Sequence, residues 1–204
     1  MASTPEPARL VLASASTARA ALLRAAGVEF IIDPADIDEA AIKQQYRAAG
    51  RDGMACAQAL AAAKANTVSV RHPQALVVGA DQILVAGAEW FDKPRDLTDA
   101  AVQLRRLRGR DHILATACCV YCGDTQLWQA TAAPRLTMRR FGEEFLAGYI
   151  AAEGEAALGS VGAYRLEGRG VQLFARIEGD HFAILGLPLL ALLDFLRRRG
   201  IVGE

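Results

Sequence analysis

A carboxylate set inside an apolar strand is the first chemical feature of this sequence. Leu76, Val77 and Val78 form an apolar run, Gly79 and Ala80 thin the side chains, Asp81 follows, and Ile83, Leu84 and Val85 resume the apolar pattern. Burying an unpaired charge there is costly, so Asp81 is expected where the strand opens onto a cleft, a cation or a metal. Ala86 to Glu89 reads as a turn, and Asp92-Lys93-Pro94-Arg95-Asp96 then brings two cations around a stiff proline. An acid beside small residues and a Lys-Pro corner suits a polyanion and its metal. A surface hairpin with a strand-end Asp81 capping a loop fits the same residues.

Three other stretches carry residues of the same chemistry. Ser14, Ser16 and Thr17 precede a helical pattern closed by Gly27, and Arg19 falls in its first turn. A helix N-terminus with hydroxyls is a ready anion site, and a cation placed against the helix dipole suits an anionic ligand; an ordinary N-cap with a solvated arginine is the alternative. Asp33, Asp36, Asp38 and Glu39 crowd the start of another helix, where capping explains most of them and metal coordination by one stays open. Lys64 is the one charge in an Ala-rich helix from Ala55 to Val68, either a snorkelling surface group or a placed phosphate ligand.

The elements that must position these groups alternate. Strands are expected at Arg9 to Ala13, Val28 to Ile32 and Leu76 to Val85, then as a hairpin of His112 to Tyr121 with Gln126 to Ala132, and at Arg135 to Arg139. Helices are expected after Ser14, opened by the acidic cluster of Asp33 to Glu39, at Ala55 to Val68, within Leu97 to Arg110 from a Thr98 cap, at Phe141 to Ala152 and after Pro188. Two further strands are expected to meet near Gly179-Asp180, after a glycine-bearing loop. This order predicts a mixed α/β (α+β) fold, with residues 1 to 8 as a flexible tail and residues 9 to 204 as one domain. With 204 residues and 52% hydrophobic content, one sizeable core is the default.

Composition narrows the function classes. Twenty-three basic and 23 acidic residues cancel, so neither nucleic acid nor an anionic membrane is an expected partner, and the arginines at 105, 106 and 108 read as a solvated face. No apolar run reaches membrane-span length and the N-terminus lacks a signal-peptide layout, so a cytoplasmic location is expected. The four cysteines, Cys56, Cys118, Cys119 and Cys122, read as buried reduced thiols, since the Cys119–Cys122 pair has no second pair at zinc-finger spacing. No G-x-G-x-x-G, P-loop, G-x-S-x-G or H-E-x-x-H motif is present. Scattered cations and carboxylates remain, which suits metal-assisted phosphoryl chemistry.

In order along the chain, LVLASASTARAALLRAAGVEF, DIDE, the Ala/Lys helix, VVGADQILV, DKPRD, LRRLRGRDH, GAYRLEG and RIEGDHFAILGLPL resemble the Maf family of septum formation inhibitor-like proteins, over about residues 9 to 200. The resemblance implies an elongated mixed sheet flanked by helices, with two lobes around a cleft as in the inosine triphosphatases. It also implies a nucleoside triphosphate pyrophosphatase that removes unwanted or modified nucleotides. By motif, Asp81 is the implied proton acceptor, Glu39 with Asp81 would hold a divalent cation (Mg²⁺ or Mn²⁺), and Lys64 and Lys93 lie near phosphate. Ser14 and Arg19 match the first serine and last arginine of the family's S-x-S-P-R-R turn. The family also makes a homodimer a reasonable expectation.

Three departures bear on substrate. Thr17 and Ala18 replace the turn's Pro and first Arg. In the family's D-K-A-G-A-Y-G-I-Q-G segment, Ser160 stands for the lysine and Glu167 for the glutamine. Gln82 stands where G-A-D-T members have Thr. The last two departures resemble the branch acting on 7-methylguanosine triphosphate rather than on dTTP and UTP. A carboxylate at Glu167 suits the N1–H and 2-amino group of a guanine, although Ala18 lacks that branch's aromatic residue. The competing reading is a nucleotide-binding regulator of cell division with little turnover, which the changes at Ala18 and Ser160 would suit.

Overall fold

The computed structural model describes residues 10 to 203; the expected tail at residues 1 to 8 lies outside the described residues. Among the described residues, eight strands form one open mixed sheet flanked by seven α-helices. The strands are β1 (Leu10–Leu12), β2 (Ile31–Ile32), β3 (Leu76–Ala86), β4 (Glu89–Phe91), β5 (Asp111–Cys122), β6 (Thr125–Ala132), β7 (Arg135–Met138) and β8 (Phe174–Glu178). The helices are α1 (Thr17–Ala25), α2 (Glu39–Ala48), α3 (Gly53–Ser69), α4 (Leu97–Leu107), α5 (Glu143–Glu153), α6 (His181–Ile184) and α7 (Leu189–Arg198). None is long and apolar enough to cross a membrane.

The sheet is organised on one long antiparallel pair. β3 and β5 run side by side from Val77 opposite Tyr121 to Val85 opposite Ile113. On its other edge β3 pairs in parallel with β1 only through Val78, and antiparallel with β4 only from Leu84. Among the described residues, no strand lies beside residues 79 to 83 of that edge. Asp81 lies in the middle of this interval, so a carboxylate that would be ruinous in a closed sheet faces an opening instead.

Two facing surfaces of small side chains let α3 lie close on this pair. Ala57, Ala61 and Ala65 of the helix are buried, and Val77, Ala115, Ala117 and Cys119 share their cluster. A second cluster joins β1, α1 and α7 through Leu12, Leu23, Leu192 and Leu196; a third gathers Leu84, Leu104, Leu136, Leu146 and Tyr164 at the far end of the sheet. Cys56, Cys118 and Cys119 are buried free thiols, whereas Cys122 at the strand end is partly exposed, with its Sγ 3.6 Å from the Pro73 carbonyl.

The structure corrects several expected elements. β2 has two residues rather than five, because only Ile31 and Ile32 pair with β1. The cap of α4 is Asp96, whose Oδ1 accepts from the Asp99 N–H at 2.7 Å, and Thr98 lies inside the helix. Its buried face is Ala100, Gln103, Leu104 and Leu107, with Ala101 only partly covered. After Gly179 the chain forms α6 and not a second strand. The Gly179 φ of 106° breaks the extended path, and Asp180 Oδ1 caps the helix by accepting from the Phe182 N–H at 2.9 Å. The expected loop after α5 is mostly a series of 3₁₀ turns at Gly154–Gly159, Val161–Ala163 and Arg169–Leu173.

Candidate active site

All eight residues singled out from the sequence as site residues line one cleft: Ser14, Arg19, Glu39, Lys64, Asp81, Gln82, Lys93 and Glu167. Its volume is about 860 Å³, in the range of pockets that enclose small ligands. They come from four regions: the β1–α1 turn with the first turn of α1, α2 and α3, the β3 interval with the segment after β4, and the turns after α5.

At the centre Lys64 Nζ lies 2.5 Å from Asp81 Oδ1 and 2.7 Å from Glu39 Oε1. The geometry follows from the fold: α3 lies over β3, and α2 begins with Glu39 just past its Asp38 cap. The side chains of Lys64 and Asp81 are 10% and 8% exposed, whereas that of Glu39 is 44% exposed. Burial works against ionisation of Glu39, but the Lys64 hydrogen bond and charge, with Lys43 and Lys93 behind it, outweigh it and hold its carboxyl below the usual range. Two other acids of that stretch do other work. Asp38 caps α2 through the Ala41 N–H at 2.9 Å, and Asp33 binds Arg71 and His72 at 2.8 Å, so Glu39 alone turns into the cleft.

Arg19 is a buried cation without a carboxylate partner among the described residues. Its Nε donates to the Gly186 carbonyl at 2.8 Å and its Nη1 to Ser14 Oγ at 3.1 Å, while Ser16 Oγ caps α1 by accepting from the Arg19 N–H. Burial pushes its pKa down, partly offset by the nearby charge of Asp81. Lys93 forms no ion pair among the described residues either. Burial, and then repulsion by Arg19, lower its pKa, against the pull of Glu39. Two cations held next to each other at a cost in ionisation make a site for a ligand of several negative charges.

Gln82 points to the other side of β3 from Asp81. Its amide nitrogen donates to Thr116 Oγ1 and the Ala183 carbonyl at 2.8 Å and to the Ile184 carbonyl at 3.3 Å, so Oε1 is the atom left for a ligand. Glu167 stands at the rim, where Arg165 Nε lies 3.4 Å from its Oε1. The sequence reading missed Lys43 and Tyr164 of the lining. Lys43 had a signal, since it follows Glu39 by four residues on one helix face. Tyr164 lies in the GAYRLEG stretch, but its partner His112 is brought by β5 and was not linked to it.

That partner sets a pH response. His112 is 2% exposed, its Nε2 lies 2.8 Å from Tyr164 Oη, its Nδ1 is buried without a partner among the described residues, and burial lowers its pKa from 6.5 to about 4. As pH falls the unfolded chain is protonated first, so stability is complete above the ordinary value and lost toward the folded one. The full shift corresponds to about 3 kcal/mol. Urea unfolding at pH 7 and pH 4.5 is expected to show this loss, and His112→Gln to reduce it; an equal loss in the variant would assign the acid sensitivity elsewhere.

Glu39 and Asp81, brought together on either side of Lys64, offer two carboxylates near one another, a fitting donor type for a hard ion such as Mg²⁺, which is commonly held by one or two carboxylates plus substrate phosphates. The described residues contain no cluster of three or more His, Cys, Asp or Glu that would hold a metal unaided. Substrate oxygens would have to complete the shell.

Fold and cleft together define an α/β protein with a cleft that brings cations beside a strand carboxylate. Comparison with known proteins narrows the class. The family model described as Maf-like protein matches residues 9–199, and the chain belongs to that family. It is 52% identical over 190 residues to a protein of Granulibacter bethesdensis named nucleoside triphosphate pyrophosphatase, covering 93% of this chain and 96% of that one. A protein of the same name from Paramagnetospirillum magneticum is also 52% identical, over 93% of this chain and 98% of its own. A Rhizobium etli protein named 7-methyl-GTP pyrophosphatase is 46% identical over 194 residues, covering 95% and 98%.

Proposed function

We propose that this chain hydrolyses the α–β phosphoanhydride of a nucleoside triphosphate, giving the monophosphate and pyrophosphate. The observation that carries the reading is the placement of Asp81 in the free interval of β3, beside Lys64 and facing Arg19 and Lys93 in one cleft. The names and near full-length similarity of the relatives support it.

Water attacks the α-phosphorus in line with the departing pyrophosphate. The new bond joins the water oxygen to the α-phosphorus, the bridging bond to the β-phosphate breaks, and Asp81 accepts the proton. Arg19, Lys64 and Lys93 offset charge on the phosphates and on the leaving group. A divalent cation held by Glu39 and Asp81 would neutralise phosphate charge and polarise the reacting phosphoryl group when bound. The test is pyrophosphate release from dTTP, UTP, CTP, GTP and 7-methyl-GTP with Mg²⁺ or Mn²⁺. Orthophosphate as the product would contradict attack at the α-phosphorus, and nucleotide binding without turnover would favour a regulator.

Among bases, the site is read as favouring a 7-methylguanine-type substrate. Glu167 at the rim can accept two hydrogen bonds from a guanine edge, whereas the carbonyls of uracil or thymine would meet its charge. Glu167→Gln is expected to move the ratio of kcat/KM values for 7-methyl-GTP and UTP toward UTP by about tenfold. An unchanged ratio would remove Glu167 from base selection.

A further inference from the structure

Lys43 stands one turn beyond Glu39 on α2, the spacing that places both on one helix face. α2 buries none of its residues fully, yet the Lys43 side chain is only 16% exposed because it lies in the cleft. Its Nζ donates to Asp92 Oδ1 at 2.7 Å, and Arg47 Nη2 donates to Asp92 Oδ2 at 3.2 Å. Asp92 therefore has two cations for one charge. If Lys43 leaves, Arg47 still pairs the carboxylate, and Arg47 is itself steadied over the Trp90 ring at 5.1 Å.

The charge balance of the cleft gives Lys43 somewhere to go. Lys64 is already shared by Glu39 and Asp81, so Arg19 and Lys93 are the cations there without a carboxylate partner among the described residues. Without a divalent cation, a triphosphate brings more negative charge than those two offset. Asp92 directly precedes Lys93, so Lys43 is held beside a cation already facing the ligand.

We propose that Lys43 is a further ligand of the substrate's triphosphate, parked on Asp92 in the free enzyme and exchanged onto a phosphate oxygen when substrate binds, while Arg47 keeps Asp92 paired. This rests on the pyrophosphatase reading of the cleft. It predicts opposite behaviour for two partners in one ion pair, which a purely structural tether of α2 does not.

The experiment is calorimetric titration of the full chain with inorganic tripolyphosphate in the absence of divalent metal, alongside pyrophosphate release from nucleotides by the same preparations. Lys43→Gln is expected to weaken tripolyphosphate binding by about tenfold, the worth of one charge-assisted hydrogen bond. Asp92→Asn, which frees Lys43, is expected not to weaken it. Equal weakening by both variants would make the pair a tether and overturn the proposal, as would unchanged binding by Lys43→Gln. If the native chain releases pyrophosphate while Lys43→Gln binds normally, this proposal alone fails. If the native chain binds no tripolyphosphate and releases no pyrophosphate, the reading of the cleft fails, and this one with it.

Discussion

Asp81→Asn is expected to lower kcat by about a thousandfold, the usual contribution of a positioned general base, while nucleotide affinity changes much less. Asparagine keeps the shape of the side chain and removes the proton acceptor. Lys64 keeps a carboxylate partner in Glu39 at 2.7 Å, so the variant does not leave a buried ammonium alone. Its fold is expected to survive, which circular dichroism and a thermal melt would check. The corresponding change at Glu39, 44% exposed at the cleft edge, is expected to cost less and to be eased by raising the divalent metal concentration. A variant at Asp81 with near-native turnover would mean that another group takes the proton.

The second large effect is expected at Gly79, two residues before that acid and on the same face of β3. A Cβ built there collides with the Ala61 carbonyl oxygen and lies 2.8 Å from both the nitrogen and the Cβ of Ala65. These are backbone and small-residue atoms of α3 with no rotamer to change, so the helix as a whole must lift from the sheet. Gly79→Ala is expected to destabilise by about 3 kcal/mol, at the upper end of what overpacking usually costs. Because α3 carries Lys64 and β3 carries Asp81, the same displacement opens the 2.5 Å contact between them and lowers turnover. Urea unfolding and steady-state kinetics measure both. Native stability in this variant would show that α3 is not held against β3 as closely as described.

These two residues illustrate what could be read from the sequence. The acid in an apolar strand, the thinning glycine and alanine before it, and the Lys-Pro corner after it are local patterns, and the structure places Asp81 and Lys93 along one cleft. Lys64 was visible as the lone charge on an Ala-rich helix, although its position between two carboxylates depends on α2 and β3 meeting there. The start of α2 was legible only as a cluster of four acids, among which the structure makes Asp38 the cap, and the start of α4 was misplaced because two caps competed, Asp96 and Thr98. The α6 segment looked like a strand because it is apolar and short; Gly179 and the Asp180 cap decide otherwise.

What was illegible is long-range. The interval in β3 that holds Asp81 exists because β1 stops at Leu12 and β4 ends at Phe91, opposite Leu84, and neither boundary is written in β3 itself. Gln82 sits beside the acid in sequence, but its amide is directed to Ala183 and Ile184, about a hundred residues away. Lys43 and Asp92 had no reason to be considered together until α2 and the segment after β4 were seen to meet.

The most direct test of the account is hydrolysis of the preferred nucleoside triphosphate in heavy-oxygen water, with mass analysis of both products. Attack at the α-phosphorus puts the label in the nucleoside monophosphate and leaves the pyrophosphate unlabelled, which is the result expected here. Label in the pyrophosphate would place the attack on the β-phosphorus and contradict the assignment of Asp81 as the base for water at the α-phosphate.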